Sequence, residues 1–254
     1  MTTFVEVDGV RLECAWVGPV RDDGPVLVFL HEGLGSITQW RDTPEAIARA
    51  TGLRAFVYAR EGYGQSSPVK VPRPLTYMHD EAARLPRVLA AAGITECILV
   101  GHSDGASIAI IAAGSCVVAP RAIVLIAPHV FVEDVSVRSI AAAADAYRGT
   151  DLRERLARHH ADVDGAFWGW NRAWLDPDFR AWNIELYLSR VTAPTLVVQG
   201  DGDEYGTMAQ VDAIERGVRG RVQRSVIVGA GHSPHRTHAR EVVDAIATFV
   251  QTIA

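Results

Sequence analysis

One stretch constrains this chain more than any other: Cys97-Ile98-Leu99-Val100-Gly101-His102-Ser103-Asp104-Gly105. A short apolar run leads into it, and a run of small and apolar residues, Ala106-Ser107-Ile108-Ala109-Ile110-Ile111-Ala112-Ala113, leads out. That is the pattern of strand, sharp turn and helix, with a serine at the apex of Gly-x-Ser-x-Gly. A serine held in a strained backbone conformation needs neighbours without side chains, so that strand and helix can approach closely. Its oxygen then projects above the sheet, and the next amide, on Asp104, can point at a developing oxyanion.

The rest of the sequence supplies the sheet that such a turn requires. Residues 26–30, 55–58 and 122–126 are continuous apolar runs, the signature of strands buried on both faces, and the sheet pattern resumes at 194–200. Residues 4–7 and 10–17 read as a hairpin turning at Asp8-Gly9, and residues 224–228 as a last strand. Helical patterns fall between the strands, at 44–50, 76–92 (with Pro86 inside it), 207–217 and 240–253. Alternation at this spacing predicts an α/β fold with a mostly parallel central sheet flanked by helices and antiparallel strands at one edge. A chain of 254 residues, 48% of them apolar, can bury one such core. From about 130 to 191 the strand pattern stops. Helical patterns at 139–147 and 152–160 lead to four of the six tryptophans, Trp168, Trp170, Trp174 and Trp182. This segment reads as a helical insertion after the sixth strand, with the core divided into 1–129 and 192–254.

Several function classes are disfavoured. The net charge is -5 and no basic stripe is visible, which argues against nucleic acid. The apolar runs are far shorter than the roughly 18 residues needed to span a membrane. The start, Met1-Thr2-Thr3-Phe4-Val5-Glu6-Val7-Asp8, carries acids and no apolar signal core. Cys14, Cys97 and Cys116 are odd in number and widely spaced, as expected of reduced thiols in a cytoplasmic protein.

A serine nucleophile needs a base, and a histidine base needs a carboxylate to fix its tautomer. His232 follows the last strand in Gly229-Ala230-Gly231-His232-Ser233-Pro234-His235. The preceding strand runs into Gly200-Asp201-Gly202-Asp203-Glu204, which offers three carboxylates. The order serine, acid, histidine is the one that an elbow enzyme uses. His232, His235 and His238 recur every three residues, but no carboxylate or cysteine set completes a metal site. His31 and His102 are expected to be structural hydrogen-bonders, and His159-His160 to lie on the surface of the insertion.

On these residues the chain resembles the α/β-hydrolase superfamily over essentially its whole length. The resemblance maps the nucleophile elbow onto Gly101 to Gly105 and the histidine motif onto Gly231-His232. It favours Asp203, the third residue after Gly200, over Asp201 and Glu204 as the acid. It maps the oxyanion loop onto His31-Glu32-Gly33-Leu34-Gly35, and the Arg-x-Gly-x-Gly-x-Ser loop onto residues 60–66. The insertion then corresponds to a helical cap. The implied roles are Ser103, His232 and Asp203 as the triad, with the amides of Asp104 and either Gly33 or Leu34 as oxyanion donors.

Three residues depart from the family's pattern: Glu32 where glycine is common, Asp104 where uncharged residues are usual, and, conservatively, Ala106 where a second glycine is common. An anion at either of the first two places opposes the charge that catalysis must stabilise. Each carboxylate is therefore expected to be locally hydrogen-bonded, or to bind a donor or cation on the substrate or on Arg60. Glu32, Trp40, Tyr63, Trp168 and Trp170 are the candidate substrate contacts, lining an aromatic pocket for a small, partly apolar molecule. The first expectation is hydrolysis of a carboxylic ester or lactone without metal or organic cofactor. The alternative is carbon–carbon bond hydrolysis of a dienoic or β-diketone compound, which an extra polar group at Asp104 or Glu32 would favour. A third is a ligand-binding module on the same scaffold. A monomer and a homodimer are both compatible with the sequence.

Overall fold

The computed structural model describes residues 3–20 and 24–253; Met1, Thr2 and Ala254, at the outer ends of the expected core segments, and residues 21–23 lie outside the described residues. Strands β1 (Thr3–Val7) and β2 (Val10–Val17) form the hairpin expected at Asp8-Gly9. The chain continues through β3 (Val26–Leu30), α1 (Thr43–Thr51), β4 (Ala55–Tyr58) and α2 (Tyr77–Ala91), which runs on through Pro86. Next come β5 (Cys97–His102), α3 (Asp104–Gly114) and β6 (Ala122–Ile126). Four helices follow before the next strand: α4 (Asp134–Gly149), α5 (Leu152–Ala157), α6 (Val163–Leu175) and α7 (Glu185–Leu188). The sheet resumes at β7 (Thr195–Gly200), followed by α8 (Met208–Gly217), β8 (Val222–Ile227), α9 (Pro234–Thr237) and α10 (Ala239–Gln251).

The eight strands form one sheet in the order β1-β2-β4-β3-β5-β6-β7-β8. Among the described residues, the β1–β2 and β2–β4 pairs are antiparallel and the other strand pairs are parallel. The apolar runs explain why. Along β3, Val28 and Leu30 belong to one core cluster, while Leu27 and Phe29 belong to the other. Side chains alternate across a strand, so a strand apolar at every position must have a helix layer on each face. On one face α1 and α10 supply Ile47, Ala48, Val242, Ile246 and Phe249. On the other, α2 and α3 supply Leu85, Val88, Ile108 and Ile111, and the core continues into Phe167, Trp170 and Trp174 of α6. All of α3 is buried, as expected of a helix apolar on every side.

The insertion departs most from the sequence reading. The helix expected at 139–147 begins earlier, at Asp134, and the one expected at 152–160 stops at Ala157. His160 is not a surface residue but is 4% exposed. Its Nδ1 accepts the Gly64 N–H at 3.1 Å and its Nε2–H donates to the Leu34 carbonyl at 3.0 Å, so it ties the insertion to the loop after β3. The start of α6 is marked by Asp162, whose carboxylate caps the helix by accepting the Gly165 N–H at 2.9 Å. Among the described residues no helix is long and apolar enough to cross a membrane.

Candidate active site

Strand β5 delivers Ser103 to the top of the sheet with φ +53° and ψ -119°, a conformation that non-glycine residues rarely adopt. The flanking glycines make it possible. A Cβ on Gly101 would lie 2.6 Å from the Ala106 Cα, and one on Gly105 would overlap the Leu30 carbonyl. The serine side chain then meets the loop after β8. Ser103 Oγ–H donates to His232 Nε2 at 2.9 Å, and His232 Nδ1–H donates to Asp203, 2.9 Å from both carboxylate oxygens.

Of the three carboxylates after β7, only Asp203 reaches the imidazole. Asp201 accepts the Gly229 N–H at 2.7 Å, and Glu204 accepts the backbone N–H of His232 at 3.1 Å. Asp203 also accepts from Gln199 Nε2 at 2.8 Å and from the Tyr205 and Gly206 amides at 2.8 and 3.2 Å. Burial alone would push its carboxyl up, but the hydrogen bond and charge of His232 and the Tyr205 amide pull it down to about 2. His102 sits beneath: its Nε2–H donates to the His232 carbonyl at 2.9 Å, and its Nδ1 lies 3.4 Å from Glu32 Oε2.

This hydrogen-bonded chain of Ser103, His232 and Asp203 opens on a cavity of about 240 Å³. Gly33, Leu34, Glu32 and Asp104 border it from the core, Ile140, Trp170 and Trp174 from α4 and α6, and His129, Glu204 and Tyr205 from the ends of β6 and β7. Arg60 is wholly buried behind the loop after β3, where its guanidinium donates to the carbonyls of Glu32 at 2.9 Å and His31 at 3.3 Å. His31 Nδ1–H donates to the Glu32 carbonyl at 2.7 Å, while Nε2 accepts the Arg60 N–H at 3.0 Å. The Trp170 indole covers Gly33 so closely that any Cβ there would overlap it.

Both unusual carboxylates are engaged. Glu32 Oε1 accepts from Arg236 at 2.7 Å. Burial opposes its ionisation, but His102 and Arg236 hold it well below the usual carboxylate range. Asp104 is 1% exposed and accepts from Tyr77 Oη–H at 2.6 Å and Trp174 Nε1–H at 3.2 Å. Burial raises its carboxyl above the ordinary range, against the pull of Arg60 and those two donors.

Three expected substrate contacts lie away from the cavity. Trp40 is buried on Phe29 and His235, with ring centroids 5.2 Å apart in each pair. Tyr63 is buried between the Arg60 and Arg73 guanidinium groups, 4.9 and 4.6 Å from its ring centre. Trp168 is half-buried on the outward side of α6, against Tyr147 and beside Arg148 and Arg172. Helical spacing explains this: Trp170 and Trp174 share a face at i and i+4, and Trp168 does not. That spacing was a usable signal for Trp174. His129, Tyr205 and Arg236 carried no motif to single them out.

A family model described as "Alpha/beta hydrolase family" matches residues 27–245, and the chain belongs to that family of hydrolase enzymes. Similar proteins include the mouse sn-1-specific diacylglycerol lipase ABHD11, 22% identical over 89% of this chain and 81% of that protein. Epoxide hydrolase B of Mycobacterium tuberculosis is 31% identical over 101 residues, 40% of this chain and 28% of that protein. Among solved structures, a thermophilic esterase from Thermogutta terrifontis aligns with TM-score 0.75 at 16% identity, covering 100% of this chain and 99% of that one. Est816, described as an N-acyl homoserine lactone degrading enzyme, aligns with TM-score 0.74 at 23% identity, covering 97% and 100%.

Proposed function

We propose that this hydrolase cleaves a small carboxylic ester or lactone through an acyl-enzyme on Ser103. The observation that carries the reading is the unbroken hydrogen-bond chain from Ser103 through His232 to Asp203, opening on a cavity of about 240 Å³. His232 Nε2 takes the Ser103 proton as Oγ attacks the carbonyl carbon. The backbone amides of Asp104 and either Gly33 or Leu34 receive the oxyanion. The same imidazole returns the proton to the leaving group, and water repeats the sequence to free the acid. Asp203, kept ionised, holds His232 in the tautomer that leaves Nε2 as the acceptor.

The cavity volume supports a small substrate, and its indole walls an apolar or aromatic part. Residues 130–191 act in this reading as a cap that completes the walls above the core of 1–129 and 192–254. A cytoplasmic, monomeric or homodimeric enzyme belongs to the same reading. The ester and lactone choice is in keeping with the esterase and lactone-degrading structural relatives. An extra polar group near Ser103 would favour the alternative, carbon–carbon cleavage; Glu32 and Asp104, the two residues expected to supply one, are both engaged with other side chains.

A fluorophosphonate probe tests the nucleophile. Intact mass and peptide mapping are expected to show one adduct, on Ser103, that Ser103→Ala abolishes. Folded protein that takes no label would overturn the acyl-enzyme and favour a ligand-binding module.

A further inference from the structure

His129 has no part in the triad, yet it stands in the same cavity. It follows β6, so the strand order β3-β5-β6-β7 sets it on the opposite side of Ser103 from the loop after β3. Its ring lies 5.5 Å from that of His232 and 5.4 Å from that of Trp174. Its backbone is clamped: Ser107 Oγ–H donates to its carbonyl at 2.7 Å, and the next amide, on Val130, donates to Gln210 at 2.8 Å. The residue is 2% exposed, and Nδ1 is buried without a partner against Gly206. That leaves Nε2 as the nitrogen open to the cavity that His129 lines.

A residue that only filled space here would be better as phenylalanine, which buries no unpartnered nitrogen. The ring proton belongs where it can find an acceptor. Nδ1 has none, so Nε2 carries it and points a neutral donor into the cavity. Burial, with the neighbouring His232, holds the imidazole down to about 3, so this donor persists across the neutral range.

We propose that His129 is a substrate-recognition residue: its Nε2–H donates to an oxygen acceptor carried by the substrate on the side of the scissile carbonyl away from the oxyanion loop. The preferred substrate class is a small ester or lactone with an ether, keto or hydroxyl oxygen within a few atoms of the reacting carbon. This deepens the ester-hydrolase reading and rests on it for where the reacting carbon lies. The contact also gives specificity a mechanism, since a substrate without the acceptor leaves a buried donor unpaired.

Binding to Ser103→Ala protein tests this without turnover, by quenching of the Trp170 and Trp174 fluorescence. The probes are phenyl methoxyacetate and phenyl 3-methoxypropanoate, with phenyl butyrate and phenyl valerate as their alkyl counterparts. Adding His129→Leu is expected to weaken at least one methoxy ester about tenfold relative to its counterpart, and His129→Gln to restore most of that difference. Equal weakening within each pair, or no binding of either methoxy ester, overturns the proposal. Nitrogen-15 spectra of the unsubstituted protein at pH 7 give a second test, independent of any variant's folding. They are expected to show His129 as the Nε2–H tautomer; the Nδ1–H tautomer or an imidazolium overturns the proposal. Because Ser103→Ala cannot be acylated at Ser103, these results stand apart from the fluorophosphonate result, which alone judges the acyl-enzyme.

Discussion

The loop after β3 and the first turn of α3 each bring a carboxylate beside Ser103, yet they neutralise it in different ways. Glu32 is left ionised and countered by the charge of Arg236 at 2.7 Å, with His102 Nδ1 3.4 Å from its other oxygen. Asp104 is sealed in and met by neutral donors, Tyr77 and Trp174, which do not cancel its charge. Its carboxyl accordingly rises above the ordinary range while that of Glu32 falls. The partners also differ in origin. Arg236 comes from α9, beside the loop that carries His232, so the Glu32 pair joins the loop after β3 to that loop. Trp174 comes from α6, so Asp104 fastens the insertion onto the elbow. One carboxylate therefore bears on the electrostatics of the reaction, and the other on the shape of the cavity.

The largest expected effect follows from stripping Glu32 of its cation. With Arg236→Met, the Glu32 carboxylate loses its cation and opposes the developing oxyanion; two unit charges several ångströms apart at an effective dielectric near 20 repel by about 3 kcal/mol. Ester turnover, or the rate of Ser103 labelling, should fall about 100-fold. Glu32→Gln introduced into Arg236→Met should recover most of the loss, because the offending charge is then gone. A double variant as slow as Arg236→Met would show that the arginine acts in some other way.

Asp104→Asn should weaken the fold more than the chemistry. The amide presents two hydrogens where the carboxylate presented only acceptors, so the Tyr77 and Trp174 donors, which also bond to each other at 3.0 Å, lose one of their two shared acceptor oxygens, a cost of about 1–3 kcal/mol. For a chain of this length that lowers Tm by roughly 2–4 °C per kcal/mol. Turnover of the smallest esters should fall less than tenfold, with KM rising more than kcat falls as the Trp174 wall loosens. A loss confined to kcat would move Asp104 from the shape of the cavity to its electrostatics.

This division was partly visible in the residues themselves. Strand runs such as Val26–Leu30 and Ala55–Tyr58 announced their own boundaries, since a strand apolar on both faces has no other solution. The elbow glycines likewise specify their own turn, and Ser103, His232 and Asp203 follow strands whose order the sheet fixes. That Glu32 and Asp104 were anomalous could be read from local pattern. Their partners could not: Arg236 lies 204 residues from Glu32, and Trp174 lies 70 from Asp104. The insertion was the least legible part, because its aromatics were read as a composition rather than along the face of a helix. Trp40 and Tyr63 show the same limit. A large aromatic in a loop beside the site can be mortar between loops as readily as pocket wall, and only the packing around it decides.

Acid separates the two carboxylates by sign, in a smaller effect. Glu32 has a folded pKa below its unfolded value of about 4.3, so it contributes stability at neutral pH that is lost as the unfolded chain takes up the proton, from about pH 5 downward. Asp104 has a folded pKa above its unfolded value of about 3.9, so it costs stability at neutral pH, and the cost is relieved as the native state takes up the proton first. Both sit on a shared slope. His31, His129, His160 and His235 are buried with folded pKa values below the ordinary one, so every variant that keeps them loses stability below about pH 6.5 as the unfolded chain binds protons there. Differences from the unsubstituted protein remove that slope. Urea midpoints from pH 7 to pH 4 should show Glu32→Gln gaining on it as pH falls and Asp104→Asn losing to it, each by no more than about 1.4 kcal/mol per pH unit. Two differences of the same sign would mean that the carboxylates share one electrostatic environment after all, and the contrast between a charge-paired anion and a donor-wrapped one would not hold.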